Sequence, residues 1–189
     1  MKWIIASDLH GSAYYCQKLI QRYRTENASR ILLLGDLLYH GPRNDLPRDY
    51  NPKEVITMLN EIADKLVCVR GNCDAEVDQM VLDFPMMADY AVLDFGGKAI
   101  YGTHGHIYND QNPLKFAKGS IMVCGHFHVP CIKELDGFVY LNDGSLSLPK
   151  EGSWHNYMTF DGETFLWHDV ETGEVKMEYK ITQAPAAAC

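Results

Sequence analysis

The sequence of 189 residues lacks most features that mark special classes of protein. No stretch approaches the roughly 18 apolar residues of a transmembrane helix, and the apolar run at residues 3–6 is too short for the core of a signal peptide. The six cysteines form no CxxC pair and are irregularly spaced, which disfavours a disulfide framework. These absences predict a cytoplasmic protein with reduced thiols and no membrane contact.

Positive charge is also scarce, because 17 Lys and Arg residues face 25 Asp and Glu residues, for a formal net charge of −8. Such a chain lacks the basic stripe of a nucleic-acid binder, so no nucleic-acid-binding surface is expected. Hydrophobic residues make up 47% and charged residues 22%, which are ordinary values for a packed protein. The protein could still act on an anionic molecule if a local cation outweighs the overall negative charge.

The first half of the chain alternates between short apolar runs and helical periodicity. Apolar runs predict strands at 3–7, 31–34 and 66–69, and helical spacing predicts helices over 12–24 and from Pro52 onward. The second half contains short apolar stretches separated by turn residues such as Gly96-Gly97 and Asp136-Gly137, which is typical of hairpins. Together these patterns predict an α/β protein in which two sheets pack against each other with helices outside.

The chain length favours one domain, which we place at residues 1–183. Residues 184–189 are expected to be a disordered tail or a remnant of cloning. The irregular segment 40–51 is predicted to be a solvated surface loop, or alternatively a lid or an oligomer contact.

Five apolar runs end in side chains that can bind a metal ion. In sheets with crossover helices, ligands bind beyond the carboxyl ends of the strands, so these five segments could meet at one edge. In each of the five segments a glycine flanks one candidate and permits a sharp turn and a close backbone approach; these are Gly11, Gly35, Gly71, Gly105 and Gly125. The candidate ligands are Asp8, His10, Asp36, Asn72, His104, His126 and His128.

Oxygen and imidazole ligands make up this set, and no cysteine is required. That mixture disfavours a structural zinc site and suits Mn, Fe, Co, Ni or catalytic Zn. Seven ligands are too many for one ion but suit two ions that share a carboxylate. Asp36 is the candidate bridge because it stands alone at the end of the middle strand.

In their order along the chain, these motifs resemble those of the calcineurin-like metallophosphoesterase superfamily, and especially its YfcE-type bacterial phosphodiesterases. The resemblance covers roughly residues 1–180. It implies a four-layer α/β/β/α sandwich of two mixed β-sheets flanked by helices. The motifs that carry it are Asp8-x-His10, Gly35-Asp36, Gly71-Asn72, Gly102-Thr103-His104-Gly105 and Gly125-His126-x-His128.

The resemblance also implies a function. The chain would be a dimetal-dependent phosphoester hydrolase, and foremost a phosphodiesterase acting on a small-molecule phosphodiester through a hydroxide that bridges the metals. The implied ions are two divalent cations, with Mn²⁺ first and Fe, Zn, Ni or Co as alternatives. Asp8, His10 and His128 would bind the first ion, Asn72, His104 and His126 the second, and Asp36 both.

Alternatives remain open at this point. The enzyme could instead be a phosphomonoesterase or a phosphoprotein phosphatase, and the same fold also serves as a non-catalytic interaction scaffold of the Vps29 type. Exposed hairpin edges favour a homo-oligomer.

One departure from the family pattern affects the mechanism. Many members carry Gly-Asn-His, whereas Cys73 follows Asn72 here. A thiol is a weaker hydrogen-bond donor than an imidazolium, so we expect a preference for good leaving groups. Four alternatives stay open for His106: it donates a proton to the leaving group, contacts the phosphate, orients a metal ligand, or is a solvated turn residue. The candidate catalytic residues are therefore Asn72, Cys73 and His106.

Two smaller features complete the analysis. Asp74 is predicted to be a cap or a partner of a ligand residue. Asn142-Asp143-Gly144-Ser145 stands where the family branch has Asn-Pro-Gly-Ser, and we expect this change to affect only a turn.

Overall fold

The computed structural model describes residues 1–95 and 98–181. The predicted turn at Gly96-Gly97 and the predicted tail at 184–189 lie outside these residues. None of the helices in the described ranges has the length and apolar composition needed to cross a bilayer. The strands are Trp3–Ala6 (β1), Arg30–Leu33 (β2), Leu66–Cys68 (β3), Tyr90–Asp94 (β4), Ala99–Thr103 (β5), Ser120–Cys124 (β6), Cys131–Leu135 (β7), Phe138–Asn142 (β8), Asn156–Phe160 (β9), Thr164–Asp169 (β10) and Val175–Lys180 (β11).

These strands form two mixed sheets, as predicted. The first sheet has the order β11-β10-β9-β1-β2-β3, with β1, β2 and β3 parallel and the other pairs antiparallel. The second sheet has the order β4-β5-β6-β8-β7, with β5, β6 and β8 parallel and the outer strands antiparallel. The last three strands therefore return to the first sheet, which the division of the sequence into two halves did not predict.

Three α-helices lie within the described residues, and two of them pack on the first sheet. They are Ala13–Thr25 (α1), Pro52–Asn60 (α2) and the single turn Glu76–Gln79 (α3). The hydroxyl of Ser12 accepts a hydrogen bond from the Tyr15 amide and so caps α1, while Pro52 begins α2 at a position that tolerates proline.

The alternation of side chains along β1 and β2 creates two separate cores. Ile4 and Leu33 face α1 and α2, whereas Ile5 and Leu32 face the second sheet and meet Ile121 there. Each such side chain is almost completely buried, and burial of one stabilises the fold by about 1.5–3 kcal/mol. The first three layers of the predicted sandwich are thus a helical layer and two sheets.

The outer face of the second sheet differs from the implied helical layer. Residues 104–119 cover it as an irregular segment, in which Phe116 packs against Tyr101 and Phe138 with ring centroids 5.1 Å apart in both cases. The carboxamide of Asn109 accepts hydrogen bonds from the amides of residues 111 and 112, so this stretch forms turns instead of a helix.

The carboxyl ends of β1, β2, β3, β5 and β6 are the part of the fold that matters for function. The first three belong to one sheet and the last two to the other. Because the sheets pack face to face, the loops that follow these five strands meet at one end of the sandwich.

Candidate metal centre

All seven candidate ligands come together at this end of the sandwich. Asp8 and His10 follow β1, Asp36 follows β2 and Asn72 follows β3. The histidines 104, 126 and 128 arrive from β5 and β6 of the other sheet. The site therefore joins the two sheets.

A first group consists of Asp8, His10 and His128. The Asp8 Oδ1 atom lies 3.1 Å from His128 Nε2 and 3.5 Å from His10 Nε2. The two imidazole Nε2 atoms are 3.4 Å apart. All three side chains are almost fully buried, so water cannot easily separate them.

A second group consists of Asn72, His104 and His126. His104 Nε2 lies 3.0 Å from Asn72 Oδ1 and 3.2 Å from His126 Nδ1. Asp36 connects the two groups, because its Oδ2 atom is 3.5 Å from His104 Nε2 and 3.7 Å from His10 Nε2. This is the position expected of a shared carboxylate.

Backbone carbonyl groups fix the orientation of three of the imidazole rings. In each ring the Nδ1 atom lies within hydrogen-bond distance of a carbonyl oxygen, which can only accept, so Nδ1 carries the hydrogen. The Nε2 lone pair of the neutral ring then points into the site, as in histidines that bind metals. The pairs are His10 with Tyr39 (2.8 Å), His104 with Leu34 (2.7 Å) and His128 with Leu148 (2.6 Å).

Backbone amides hold one oxygen of each aspartate and leave the other free. The His126 amide donates to Asp8 Oδ2 at 2.9 Å, and the Cys73 amide donates to Asp36 Oδ1 at 2.8 Å. The Asp8 Oδ1 atom is buried and receives no hydrogen bond from any described residue. Such an atom is costly unless positive charge lies beside it.

Asp74 fastens two of the loops to each other. Its carboxylate accepts hydrogen bonds from the amides of Asp36 (2.8 Å), Leu37 (2.9 Å) and Gly71 (2.7 Å). It thereby fixes the loop that carries Asp36 against the loop that carries Asn72. This agrees with the prediction that Asp74 supports a ligand residue.

The carboxylates and imidazoles of the site shift one another's pKa values. Burial opposes ionisation of Asp8 and Asp36, but their histidine neighbours hold both pKa values below the usual range. Burial by itself would lower the pKa of His104, yet the adjacent Asp36 and Asp8 raise it to about 9. Burial and the neighbouring His104 lower the pKa of His126 to about 4.

The geometry fits divalent metal ions. Ligands bound at about 2.1 Å around an octahedral or tetrahedral ion lie about 3.0–3.4 Å from each other. Several donor atoms of both groups are spaced in this range, and their lone pairs face one another. Lone pairs in such positions repel unless a proton or a cation lies between them, and the oxygen and imidazole mixture suits Mn, Fe, Co, Ni or Zn.

The backbone at the site is strained. Eight non-glycine residues in the described ranges have positive φ, and five of them are candidate ligands. Left-handed backbone costs an ordinary residue about 1–3 kcal/mol and persists where the surroundings enforce it, often at functional sites. The five are Asp8 (φ 57°), His10 (49°), Asp36 (56°), His126 (66°) and His128 (61°).

A cavity of about 390 Å³ opens onto this centre. His10, Asp36, Asn72, His126 and His128 lie at its wall, together with Cys73. Its remaining wall includes two cations and an aromatic ring that sequence analysis did not assign to the site: Arg43, Lys150 and Phe127. Only proximity to motif residues could have indicated them, since Arg43 lies in the 40–51 segment and Phe127 lies between two ligands.

The two other candidate catalytic residues occupy different positions. Burial raises the pKa of the Cys73 thiol to about 12, and the nearby Asp36 carboxylate contributes to this shift. The His106 ring lies 5.3 Å from that of His104 and 6.2 Å from that of His126, but His106 does not line the cavity. Cys73 is therefore better placed than His106 to face a bound ester.

Asp143 is more than a turn residue. Its carboxyl group is completely buried beside the strand ends, and neither oxygen has a hydrogen-bond partner among the described residues. Burial and the charge of Asp8 raise its pKa well above the usual value. The expectation that the replacement of proline by Asp143 affects only a turn is thus too narrow.

Comparisons with known proteins agree with this geometry. Residues 1–164 match the family model of the calcineurin-like phosphoesterase superfamily domain. The chain is 38% identical to the phosphodiesterase YfcE of Escherichia coli K12 over 163 residues, which cover 86% of this chain and 89% of that protein. It is 25% identical to YsnB of Bacillus subtilis, a probable metallophosphoesterase, over 96% of this chain and 99% of that protein.

Solved structures give the same picture. The structure of Escherichia coli YfcE, a phosphoesterase, superposes with a TM-score of 0.93 at 35% identity and covers 96% of this chain and 100% of that chain. A zinc complex of Vps29 from Entamoeba histolytica superposes with a TM-score of 0.62 at 20% identity and the same coverage. The second likeness is one of fold alone.

We expect the chain to bind about two divalent ions in solution, one at each group of ligands. The substitution Asp36→Asn should reduce binding of both ions, because the Asp36 carboxylate lies between the two groups. His128→Gln removes a ligand of the first group only and should leave about one ion per chain. Elemental analysis after dialysis against Mn²⁺ measures this. Equal losses in the two variants would contradict the shared role of Asp36.

A backbone substitution tests the same centre. A Cβ atom at Gly125 would overlap Ser7 and come within 2.6 Å of Asp8 Oδ2, so Gly125→Ala should displace Asp8 and abolish tight metal binding. Gly152→Ala is the control, since its Cβ meets nothing within 4 Å, and it should keep the metal despite some backbone strain. Full metal content in Gly125→Ala would show that the close approach is not required.

Proposed function

Because the chain belongs to the calcineurin-like phosphoesterase superfamily, we propose that it is a metal-dependent phosphodiesterase acting on small phosphodiesters. One observation carries the proposal: imidazole lone pairs and carboxylate oxygens from both sheets point at a single space beside an open cavity. The 38% identity to a phosphodiesterase over most of the chain supports it.

The ligands divide into two sets with one member in common. Asp8, His10 and His128 would hold the first ion, and Asn72, His104 and His126 the second, with Asp36 shared. Two divalent ions, when bound, would supply Lewis acidity that lowers the pKa of water and offsets the charge of the phosphoryl oxygens. We propose Mn²⁺ as the physiological ion, since a set of oxygen and imidazole ligands accommodates it, with Fe, Co, Ni or Zn as alternatives.

The cavity rim is suited to an anionic ester. Arg43 and Lys150 line it, and neither forms an ion pair with another residue in the described part of the chain. In a protein of net charge −8, these unpaired cations provide a local positive field. Their role would be to draw a phosphodiester to the site and to orient its free oxygens.

Cys73 faces the cavity where many relatives of this superfamily have a histidine. Its amide holds Asp36, and its sulfur lies 3.3 Å from Asn72 Nδ2. A thiol donates hydrogen bonds weakly, so it would give little help to a departing alkoxide. The enzyme should therefore favour esters whose leaving group needs no proton.

Two further properties belong to this proposal. The five cysteines in the described ranges are unpaired, which suits a reducing cytoplasm. Strand β4 is at a sheet edge and exposes Tyr90 and Val92, which suits contact with a second copy of the chain.

We expect the protein stripped of metal to be inactive and Mn²⁺ to restore hydrolysis of bis(4-nitrophenyl) phosphate by at least about two orders of magnitude. The monoester 4-nitrophenyl phosphate should react more slowly. Asp36→Asn, purified in parallel, controls for contaminating phosphatases. Activity without metal would contradict the proposal, and preference for the monoester would favour a phosphomonoesterase. A metal-loaded but inert protein would favour a scaffold.

The role of Cys73 is tested by the leaving group. For aryl phosphodiesters of increasing leaving-group pKa, kcat/KM should fall steeply in the parent enzyme and less steeply in Cys73→His, because an imidazolium protonates the departing oxygen better than a thiol does. Cys73→Ser, which has no strong acid, is the matched control and should keep the steep dependence. Equal slopes in all three proteins would contradict this account.

A further inference from the structure

A second cavity, of about 320 Å³, lies directly beside the metal cavity. The two share the side chain of Phe127, and the neighbouring residues Lys150 and Glu151 line the first and the second respectively. The volume of the second cavity falls within the range of small-molecule sites. A ligand bound at the metal centre could therefore extend past Phe127 into it.

The wall of the second cavity is largely apolar and aromatic. Phe127 and Val129 come from the loop after β6, Cys131 from the start of β7, and Tyr140 from β8. Phe127 is 45% exposed although it lies between His126 and His128, two candidate ligands that line the metal cavity. A large ring exposed at this point is suited to contact another flat apolar group.

The charges of the second cavity exclude a further anion. Lys133 is paired with Asp110 at 2.7 Å, and Glu151 adds a negative charge without a described partner. The unpaired cations Arg43 and Lys150 lie on the metal side. The negative phosphoryl group would thus bind at the metal cavity, and the group that enters the second cavity would carry no negative charge.

We propose that the second cavity is a subsite for a flat, uncharged aromatic group on the arm of the phosphodiester that does not leave. The inference rests on the proposed phosphodiesterase function and adds a substrate class to it: phosphodiesters in which one arm carries a nucleobase or a similar ring. Phe127 forms the wall between the reacting phosphoryl group and the ring, and Val129 contacts the ring.

Two esters with the same leaving group test the subsite. Thymidine 5′-(4-nitrophenyl phosphate) and methyl 4-nitrophenyl phosphate both release nitrophenolate, so they differ only in the arm that remains. We expect kcat/KM to be at least about tenfold higher for the thymidine ester. Val129→Trp fills the second cavity and should reduce this ratio to near unity, chiefly by slowing the thymidine ester.

A control substitution far from both cavities and a second variant of Val129 distinguish a blocked subsite from a general loss of activity. Val175→Trp places the same ring on the exposed strand β11, away from both cavities, and should leave the ratio unchanged. Val129→Phe makes a smaller change and should reduce the ratio partly. A parent ratio near unity, or a ratio that neither Val129 variant alters, would overturn the subsite alone. Failure to hydrolyse either ester in the presence of Mn²⁺ would overturn the proposed function and this inference with it.

Discussion

Three imidazole lone pairs and two free carboxylate oxygens converge on one small space, and only positive charge can hold them there. The carbonyl partners of His10, His104 and His128 fix this arrangement, because an imidazole that donates through Nδ1 must present Nε2 to the site. The rest of the local structure is organised around this convergence. Five candidate ligands have left-handed backbone, which the amide contacts to Asp8, Asp36 and Asp74 keep in place.

Much of this centre could be predicted from sequence because it depends on short patterns of consecutive residues. An apolar run followed by glycine and a polar residue predicts both a strand and the direction of its end, so the convergence of the seven candidate ligands at one edge and the two mixed sheets were expected. Strand β7 carries only a weak apolar signal, because its residues Lys133 and Glu134 are exposed at a sheet edge. The return of β9–β11 to the first sheet depends on long-range pairing with β1, which no short pattern encodes.

The parts of the site that the sequence did not reveal act through the backbone or through position alone. The carbonyls of Leu34, Tyr39 and Leu148 orient the imidazoles, but every residue has a carbonyl, so no side chain indicates them. Arg43 and Lys150 face the cavity only because their loops fold over it. Asp74 was predicted in part. Its position two residues after Asn72 indicated a supporting role, but only the structure shows the three backbone amides that donate hydrogen bonds to its carboxylate.

Under the proposed function, the turn after β6 would link metal binding to the choice of substrate. His126 and His128 both line the metal cavity and both have positive φ, whereas the residue between them is exposed. Phe127 is that residue, and its exposure has an energetic cost that a ligand in contact with the ring would recover. An alteration of this turn would therefore change the metal centre and the wall of the second cavity together. Residues such as Val129, which touch only the second cavity, are where the range of accepted esters can change without loss of the ions.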